Sequence, residues 1–448
     1  MTYGAHARAL LSLGVPLIGS QLGQFAINAT DTIMLGWYSV EALAALVLAH
    51  GLFFTVFVVG AGFAWAVMPM VAAAAESNDQ VQVRRVTRMG FWVSLVYAAL
   101  FMPVMLLAEP FFLMLGQDPE VSALAGQYLQ IAAWGLVPAL MFMVLRSYLA
   151  ALNRTSIVFW TTVAAAVLNA FFNYVLIFGE FGAPELGVRG AAIASVAMHA
   201  ASLGVMALYA IRLGTGHDLF ARVWRPDWGA LDQVFRLGWP IGVTNLAEVG
   251  LFSAAAVFVG WLGPDVLAAH GIALQLATAT FMIHIGLSQA ATIRAGRAYG
   301  RKDRDFLRRG ALVAITMSAC VAFLTIVTFL SVPQFLIGLF LDPQDPARPV
   351  IIAVGVHLLA AAALFQFADG MQVMTLGLLR GVQDTRVPMV LAALSYWVIG
   401  APAGLLLGFP LGLGGVGVWL GLFAGLSMAA VLMSLRFWRR SLPAVGHI

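Results

Sequence analysis

The chain has 448 residues, of which 62% are hydrophobic and 10% charged, and its mean hydropathy is +0.93. Soluble domains carry roughly 45–50% apolar and about 25% charged residues, so this composition excludes an ordinary water-soluble fold. The single cysteine, Cys320, excludes an intramolecular disulfide, and its place in an apolar stretch predicts an inert buried thiol.

Apolar stretches of about 20 residues, the length that crosses a bilayer, predict a membrane protein with twelve helices. The first stretch is expected to be retained as a helix, because no small-residue cleavage site follows it. The predicted spans are 10–36, 43–73, 88–108, 124–148, 157–179, 187–212, 231–261, 267–297, 310–333, 350–378, 388–409 and 412–436.

Basic residues are concentrated in alternate loops. The side of both termini receives 22 of the 24 Lys and Arg residues, leaving Arg189 and Arg348 on the other side. Because Lys and Arg accumulate in cytoplasmic loops, both termini are predicted to be cytoplasmic. These basic loops, with anionic lipid head groups as their neighbours, explain the net charge of +4, and no nucleic-acid partner is expected.

The sequence repeats itself at a shift of 224 residues. This shift aligns Gly14–Pro16 with Gly238–Pro240 and Asp79 with Asp303. Six spans return the chain to the same side, so the halves are parallel repeats. We predict an all-α membrane protein, with twelve transmembrane helices in two pseudo-symmetric six-helix bundles around a central cavity. Its parts are an N-lobe at 1–212 (helices 1–6), a cytoplasmic linker at 213–230 and a C-lobe at 231–448 (helices 7–12).

Three acidic residues, Asp31, Glu248 and Asp369, fall inside the predicted spans. A charge at the bilayer centre costs about 2.5–3.5 kcal/mol on insertion scales, which makes these residues the first candidates for function. No Lys lies in a span, so the acids are expected to lack a fixed internal countercharge. Buried carboxylates suit a proton or Na⁺, and a cationic substrate could occupy the same space.

Amides and aromatic rings accompany the acids. In the first helix, four polar residues share an arc of roughly 80°: Gln21, Gln24, Asn28 and Asp31. The repeat maps Gln21 to Asn245 and Gln24 to Glu248. Further amides and rings near the acids are Asn169, Asn173, Gln366, Gln372, Phe252 and Phe365. Hydrogen bonding between helices for the amides, and core packing for the rings, are alternatives to ligand contact.

Four stretches together resemble the multidrug and toxic compound extrusion (MATE) family: residues 29–36, 168–189, 237–252 and 367–385. Acids in helices 7 and 10 make the chain similar to the NorM-like branch. The resemblance implies two lobes forming a V-shaped cavity, and export of mostly cationic amphipathic compounds in exchange for Na⁺ or H⁺.

The resemblance also assigns roles to residues. The coupling ion is expected at Glu248 and Asp369, a possible Na⁺ site, and at Asp31 with Asn169 and Asn173. The substrate cavity is expected to include Gln21, Gln24, Asn28, Asn245, Gln366, Gln372, Phe252 and Phe365.

The main hypothesis is therefore a cation-coupled antiporter, not an enzyme, that exports drugs and toxic compounds by alternating access. We expect a monomer in the bacterial cytoplasmic membrane, with organic cations, the coupling ion and lipids as partners and no cofactor beyond Na⁺ or H⁺. The alternative is a lipid-linked oligosaccharide flippase of the same superfamily, although its cavity would be cationic. A membrane-embedded enzyme or a respiratory proton-channel subunit is a remote alternative, because clustered catalytic residues and intramembrane Lys are missing.

Overall fold

The computed structural model describes residues 1–212, 217–344 and 346–446, so the first four residues of the predicted linker lie outside the described part. In the described part, twelve helices are long and apolar enough to cross a membrane. They are α1 (Tyr3–Tyr38), α2 (Val40–Glu76), α3 (Gln80–Leu106), α4 (Pro119–Ala151), α5 (Thr155–Phe178), α6 (Val188–Arg212), α7 (Trp228–Gly260), α8 (Pro264–Arg301), α9 (Arg304–Ser331), α10 (Arg348–Gly381), α11 (Arg386–Gly408) and α12 (Gly414–Ala444). The predicted all-α membrane fold is confirmed.

Equivalent residues begin equivalent helices in the two halves. The Asp79 carboxylate accepts a hydrogen bond from the backbone N–H of Gln82 (2.9 Å) at the start of α3. Asp303 accepts one from Phe306 (2.9 Å) at the start of α9. Such caps satisfy an N–H group that the first helical turn leaves unpaired, which is why both helices begin there. The repeat in the sequence is therefore reproduced as repeated local structure.

The chain forms two compact units, one comprising Gly19–Gly242 and the other comprising Met1–Ile18 with Val243–Ile448. Helices α1 and α7 each change unit along their length. They do so at equivalent positions, since Gly242 follows Ile18 by 224 residues. The predicted lobes are defined by the repeat in the sequence, whereas the two units are defined by which helices are in contact.

The fourth helix of each half, α4 or α10, is well buried in its unit. At least half of the most apolar stretch of each is buried, 67% in α4 and 50% in α10. A charged side chain on the inner face of either helix is therefore withdrawn from solvent.

Cys320 is exposed, so the expectation of a buried thiol was wrong. Ser318, two residues earlier in α9, is fully buried. Residues two positions apart in a helix point about 200° apart, so Cys320 lies on the outer face.

Candidate functional site

Two carboxylates define the candidate site in the unit that contains Val243–Ile448. Asp369 of α10 is 2% exposed, and its Oδ1 atom has no hydrogen-bond partner among the described residues. Glu248 of α7 is half-buried and lies close enough to interact electrostatically with Asp369. Two neighbouring negative charges in an apolar bundle repel each other, so ionising both requires a compensating cation.

A half-buried arginine, Arg380, supplies part of that compensation. Nη2 of Arg380, near the end of α10, donates a hydrogen bond to Oδ1 of Asn245 (2.9 Å), one helical turn before Glu248. Arg380 also interacts electrostatically with Glu248. The expectation that the acids lack a fixed internal countercharge was therefore wrong for Glu248. The predicted span ended at 378, but the helix continues to Gly381 and carries Arg380 inside the bundle.

Tyr396 of α11 completes this cluster. Its hydroxyl oxygen accepts a hydrogen bond from Nε2 of Gln372 (2.6 Å), and both side chains are fully buried. Tyr396 interacts electrostatically with Glu248, Asp369 and Arg380. Its own hydroxyl proton is still available to an acceptor. Tyr396 lies in a π-helical turn, Ser395–Gly400, a rare feature that often accompanies functional sites and was not predicted from the sequence.

A second group of hydrogen-bonded residues lies beside Asp369. Nδ1 of His284 is 2.8 Å from Oγ of Ser318, which donates to the backbone carbonyl of Gly370 (3.2 Å). Since the serine proton goes to Gly370, His284 carries its own proton on Nδ1. A Cβ atom on residue 370 would lie 2.7 Å from Cε1 of His284. Gly370 is thus needed to admit the imidazole ring next to Asp369.

Several predicted substrate contacts are buried in this unit. Gln366 is fully buried and donates to the backbone carbonyl of Ala277 (3.0 Å). The Phe365 ring, 1% exposed, packs edge-on against Phe252 (5.8 Å between centroids) and Trp419 (5.4 Å). These contacts are those of packing residues, and their part in substrate binding stays a prediction.

In the unit Gly19–Gly242, the structure brings together three residues that the sequence had singled out. Oδ1 of Asp31, which is 4% exposed, accepts a hydrogen bond from Nδ2 of Asn173 (2.5 Å). The same Nδ2 lies 3.3 Å from Oδ1 of Asn169, one turn earlier in α5. Tyr128 of α4 interacts electrostatically with Asp31 and was not predicted. Among the residues that the structure describes, no Lys or Arg forms an ion pair with Asp31.

On the polar face of α1, Gln21 is hydrogen-bonded to another helix, whereas the side chains of Gln24 and Asn28 are not. Gln21 is 8% exposed and accepts a hydrogen bond from Nη2 of Arg146 (2.8 Å), itself 4% exposed. The distribution of basic residues predicts Arg146 in a cytoplasmic loop, and this prediction is wrong, because Arg146 lies inside α4. Gln24 and Asn28 are half-buried, and neither side chain forms a hydrogen bond to another described residue.

Among the described residues, no group of three His, Cys, Asp or Glu side chains could hold a metal ion. A Na⁺ site at Glu248 and Asp369 would therefore combine the two carboxylates with amide, hydroxyl or carbonyl oxygens. All of these are hard ligands that suit such a cation.

Twelve spans, a duplicated helical plan and buried carboxylates together are typical of a membrane transporter. The sequence model of the MatE family matches residues 16–175 and 240–406, two blocks that begin at the predicted repeat distance. The chain belongs to this family of transporters, which are not enzymes.

Bacterial relatives and solved structures agree with this assignment. Proteins named probable multidrug resistance protein NorM are 48% identical over 98% of this chain and 94% of their own length in Rhizobium meliloti, and 47% identical over 97% and 94% in Agrobacterium fabrum. The fold matches an outward-facing multidrug resistance MATE transporter of the MOP superfamily with a TM-score of 0.90 and 20% identity, covering 99% of this chain and 97% of the other. The predicted NorM-like branch is confirmed.

Proposed function

We propose that this chain is a multidrug efflux antiporter, which exports amphipathic, mostly cationic drugs and toxic compounds in exchange for Na⁺ or H⁺. Its bacterial relatives are named multidrug resistance proteins. A cationic substrate and a coupling cation share one requirement, a desolvated negative charge, and the buried acids meet that requirement.

The observation that carries the proposal is the imbalance of charge around Asp369. Glu248 and Asp369 together carry two negative charges, while Arg380 supplies one positive charge to this cluster. One carboxylate is left uncompensated in an apolar bundle, which favours uptake of one proton or one Na⁺. Neutralisation then weakens the attraction for a cationic drug. Substrate and coupling ion therefore compete, and this competition produces exchange.

Asp31 provides a second titratable position in the other unit. Asn173 and Asn169 offer amide donors and oxygen ligands around its carboxylate. Amide donors stabilise an ionised carboxylate, whereas burial favours its neutral form. Binding or release of one cation at Asp31 would change which of these two effects dominates.

Alternating access places limits on the ion stoichiometry. A membrane potential supplies about 2.3 kcal/mol per elementary charge per 100 mV. Exchange of one monovalent drug for one cation moves no net charge, so potential-driven export needs at least two coupling cations.

We place the protein in the bacterial cytoplasmic membrane as a monomer with both termini cytoplasmic. The basic loops and the bacterial relatives support this placement.

The test is efflux of a cationic dye from proteoliposomes under separately imposed Na⁺ and pH gradients. Asp369→Asn keeps the shape of the side chain and removes its charge, and we expect it to abolish ion-driven efflux. The matched control is Asp265→Asn, because Asp265 is an exposed acid in the first turn of α8. Undiminished efflux by Asp369→Asn at equal protein content would refute the assignment. The flippase alternative gains no support from an acidic cluster.

A further inference from the structure

A hollow of about 200 Å³ lies in the unit that contains Val243–Ile448, where the ends of α8 and α12 meet the connection after α10. We name it the α12 hollow. Its polar lining consists of Tyr299, Asp384, Arg436, Arg440 and Ser441. These residues lie outside the acid cluster of the candidate site and have no part in the proposed exchange.

Both carboxylate oxygens of Asp384, the acid in the α12 hollow, accept hydrogen bonds from neighbouring side chains. Nε and Nη2 of Arg436 donate to the two Asp384 oxygens (2.7 and 3.0 Å), and Oγ of Ser441 donates to Oδ2 (2.7 Å). Arg440 is exposed and has no ion-pair partner among the described residues, and Tyr299 makes no side-chain hydrogen bond there. The hollow therefore carries one net positive charge and free donors, a combination that suits an anion.

An exposed apolar strip on α12 precedes the residues that line the hollow. Met428, Val431 and Leu435 are 38%, 55% and 43% exposed and follow one another at helical spacing. Arg439 and Arg440 follow in the π-helical turn Phe437–Ser441, after the strip ends. A strip of apolar side chains followed by two basic ones matches an acyl chain that ends in an anionic head group.

We propose that the α12 hollow binds the phosphate of an anionic phospholipid, whose acyl chain lies along Met428, Val431 and Leu435. By the distribution of basic residues, this end of α12 faces the cytoplasmic leaflet, the leaflet in which anionic lipids attract basic segments. The lipid phosphate lies beside the Asp384–Arg436 ion pair, which ties α12 to the connection after α10, the helix that carries Asp369. The proposal does not depend on which compound is exported.

The test compares thermal unfolding of the purified protein in phosphatidylcholine nanodiscs with and without phosphatidylglycerol, and counts bound lipid by native mass spectrometry. We expect phosphatidylglycerol to raise the unfolding midpoint. Arg440→Gln should weaken phosphatidylglycerol binding about fivefold, the loss expected for one basic side chain near an anionic surface. Unfolding in phosphatidylcholine alone shows whether the variant is folded.

Arg212→Gln is the matched control, since Arg212 is exposed on the same predicted side at the end of α6, outside the hollow. Equal losses in the two variants would show a non-specific surface effect and overturn the proposal. Inorganic phosphate and glycerol 3-phosphate are added in separate arms. Full stabilisation by either would assign the hollow to a soluble phosphate compound and overturn the lipid assignment. Failure of dye efflux in the Asp369→Asn test leaves all of these readouts unchanged.

Discussion

Gly62 and Gly242 meet backbone to backbone where α2 crosses the first part of α7. A Cβ atom on residue 62 would lie 2.7 Å from Cα of Gly242 and 2.8 Å from the carbonyl oxygen of Gly238. The second unit contains the equivalent contact, in which a Cβ on Gly286 of α8 would lie 2.6 Å from the backbone nitrogen of Ile18. Real Cβ atoms do not approach backbone so closely, so both crossings require glycine.

Gly62→Ala and Gly286→Ala should each destabilise the protein by about 1–3 kcal/mol, because the added methyl group forces two backbones apart. The measurement is the thermal unfolding midpoint in detergent. Gly51→Ala in α2 and Gly271→Ala in α8 are the matched controls, since a Cβ at either position meets nothing within 4 Å. These controls should leave stability unchanged or raise it by up to about 1 kcal/mol. Equal midpoints for all four variants would contradict the crossing contacts.

The sequence was sufficient to predict the twelve spans, the repeat and the acid positions, because each depends on one local property. Hydrophobic length marks a span, and a charge inside a span stands out against apolar neighbours. Asp31 and Asn173 were also paired in advance, because both fall on polar positions of predicted helices and match the same family pattern. The contact between them confirms that they are neighbours, while their role in ion binding stays a prediction.

Arg146 and Arg380 were missed for a physical reason. A basic side chain close to the end of a span is normally explained by the positive-inside rule, and nothing in the local sequence separates a loop arginine from one that turns inward. Arg146 lies near the end of the predicted span 124–148, inside α4, which continues to Ala151. Arg380 lies just beyond the predicted span 350–378, but α10 continues to Gly381 and carries its guanidinium group towards Asn245. Tyr396 was missed because a π-helical turn has no reliable sequence signal.

Arg380 should set how tightly the acid cluster holds its cation. Arg380→Gln removes the positive charge that Arg380 places near Glu248, so the apparent affinity for the driving ion should rise on the order of tenfold. Export turnover should fall, because release of the cation becomes slower. The measurement is the dependence of dye efflux on Na⁺ concentration and on pH in proteoliposomes.

Arg380→Lys retains the charge and should restore most of the normal ion dependence, although it loses the geometry of the hydrogen bond to Asn245. Arg386→Gln serves as a control, since Arg386 is exposed at the start of α11. An unchanged ion dependence in Arg380→Gln would exclude a role for this arginine in charge balance.

Substitutions at Asp31 and Asn173 should affect protein stability and ion-driven transport to different extents. Asn173→Ala removes the hydrogen bond that Nδ2 of Asn173 donates to the buried Asp31 carboxylate, and should cost about 1–3 kcal/mol of unfolding free energy. Asp31→Asn is a neutral side chain of the same shape, so it should cost less while reducing ion-driven efflux. Thr32→Val is the control, because the Thr32 hydroxyl bonds only to the Asn28 carbonyl of its own helix. If Asp31→Asn transports normally under both gradients, Asp31 is a packing residue.

The segment before α7 is attached to its unit by bonds with different pH behaviour. His217 is 7% exposed, and its Nδ1 lies 2.7 Å from the hydroxyl of Tyr148. Burial, and next the positive charge of Arg84, hold the pKa of His217 below its ordinary value of 6.5. Asp227 lies ten residues after His217 and pairs with Arg85, whose guanidinium group holds the pKa of the Asp227 carboxyl below its ordinary value.

A lowered pKa of His217 means that the segment before α7, when it is packed against its unit, favours the neutral imidazole ring. Its contribution to stability is therefore complete above about pH 6.5, and is lost as the pH falls towards and through the lowered value, where only the undocked form is readily protonated. The Asp227 contribution persists over the same window, because that carboxylate stays ionised and paired. Amide hydrogen exchange of residues 217–227, corrected for intrinsic rates, should show faster exchange near His217 at pH 5.5 than at pH 7.5, with little change near Asp227. His217→Gln does not titrate and should remove the difference; if the difference persists in that variant, another group is responsible.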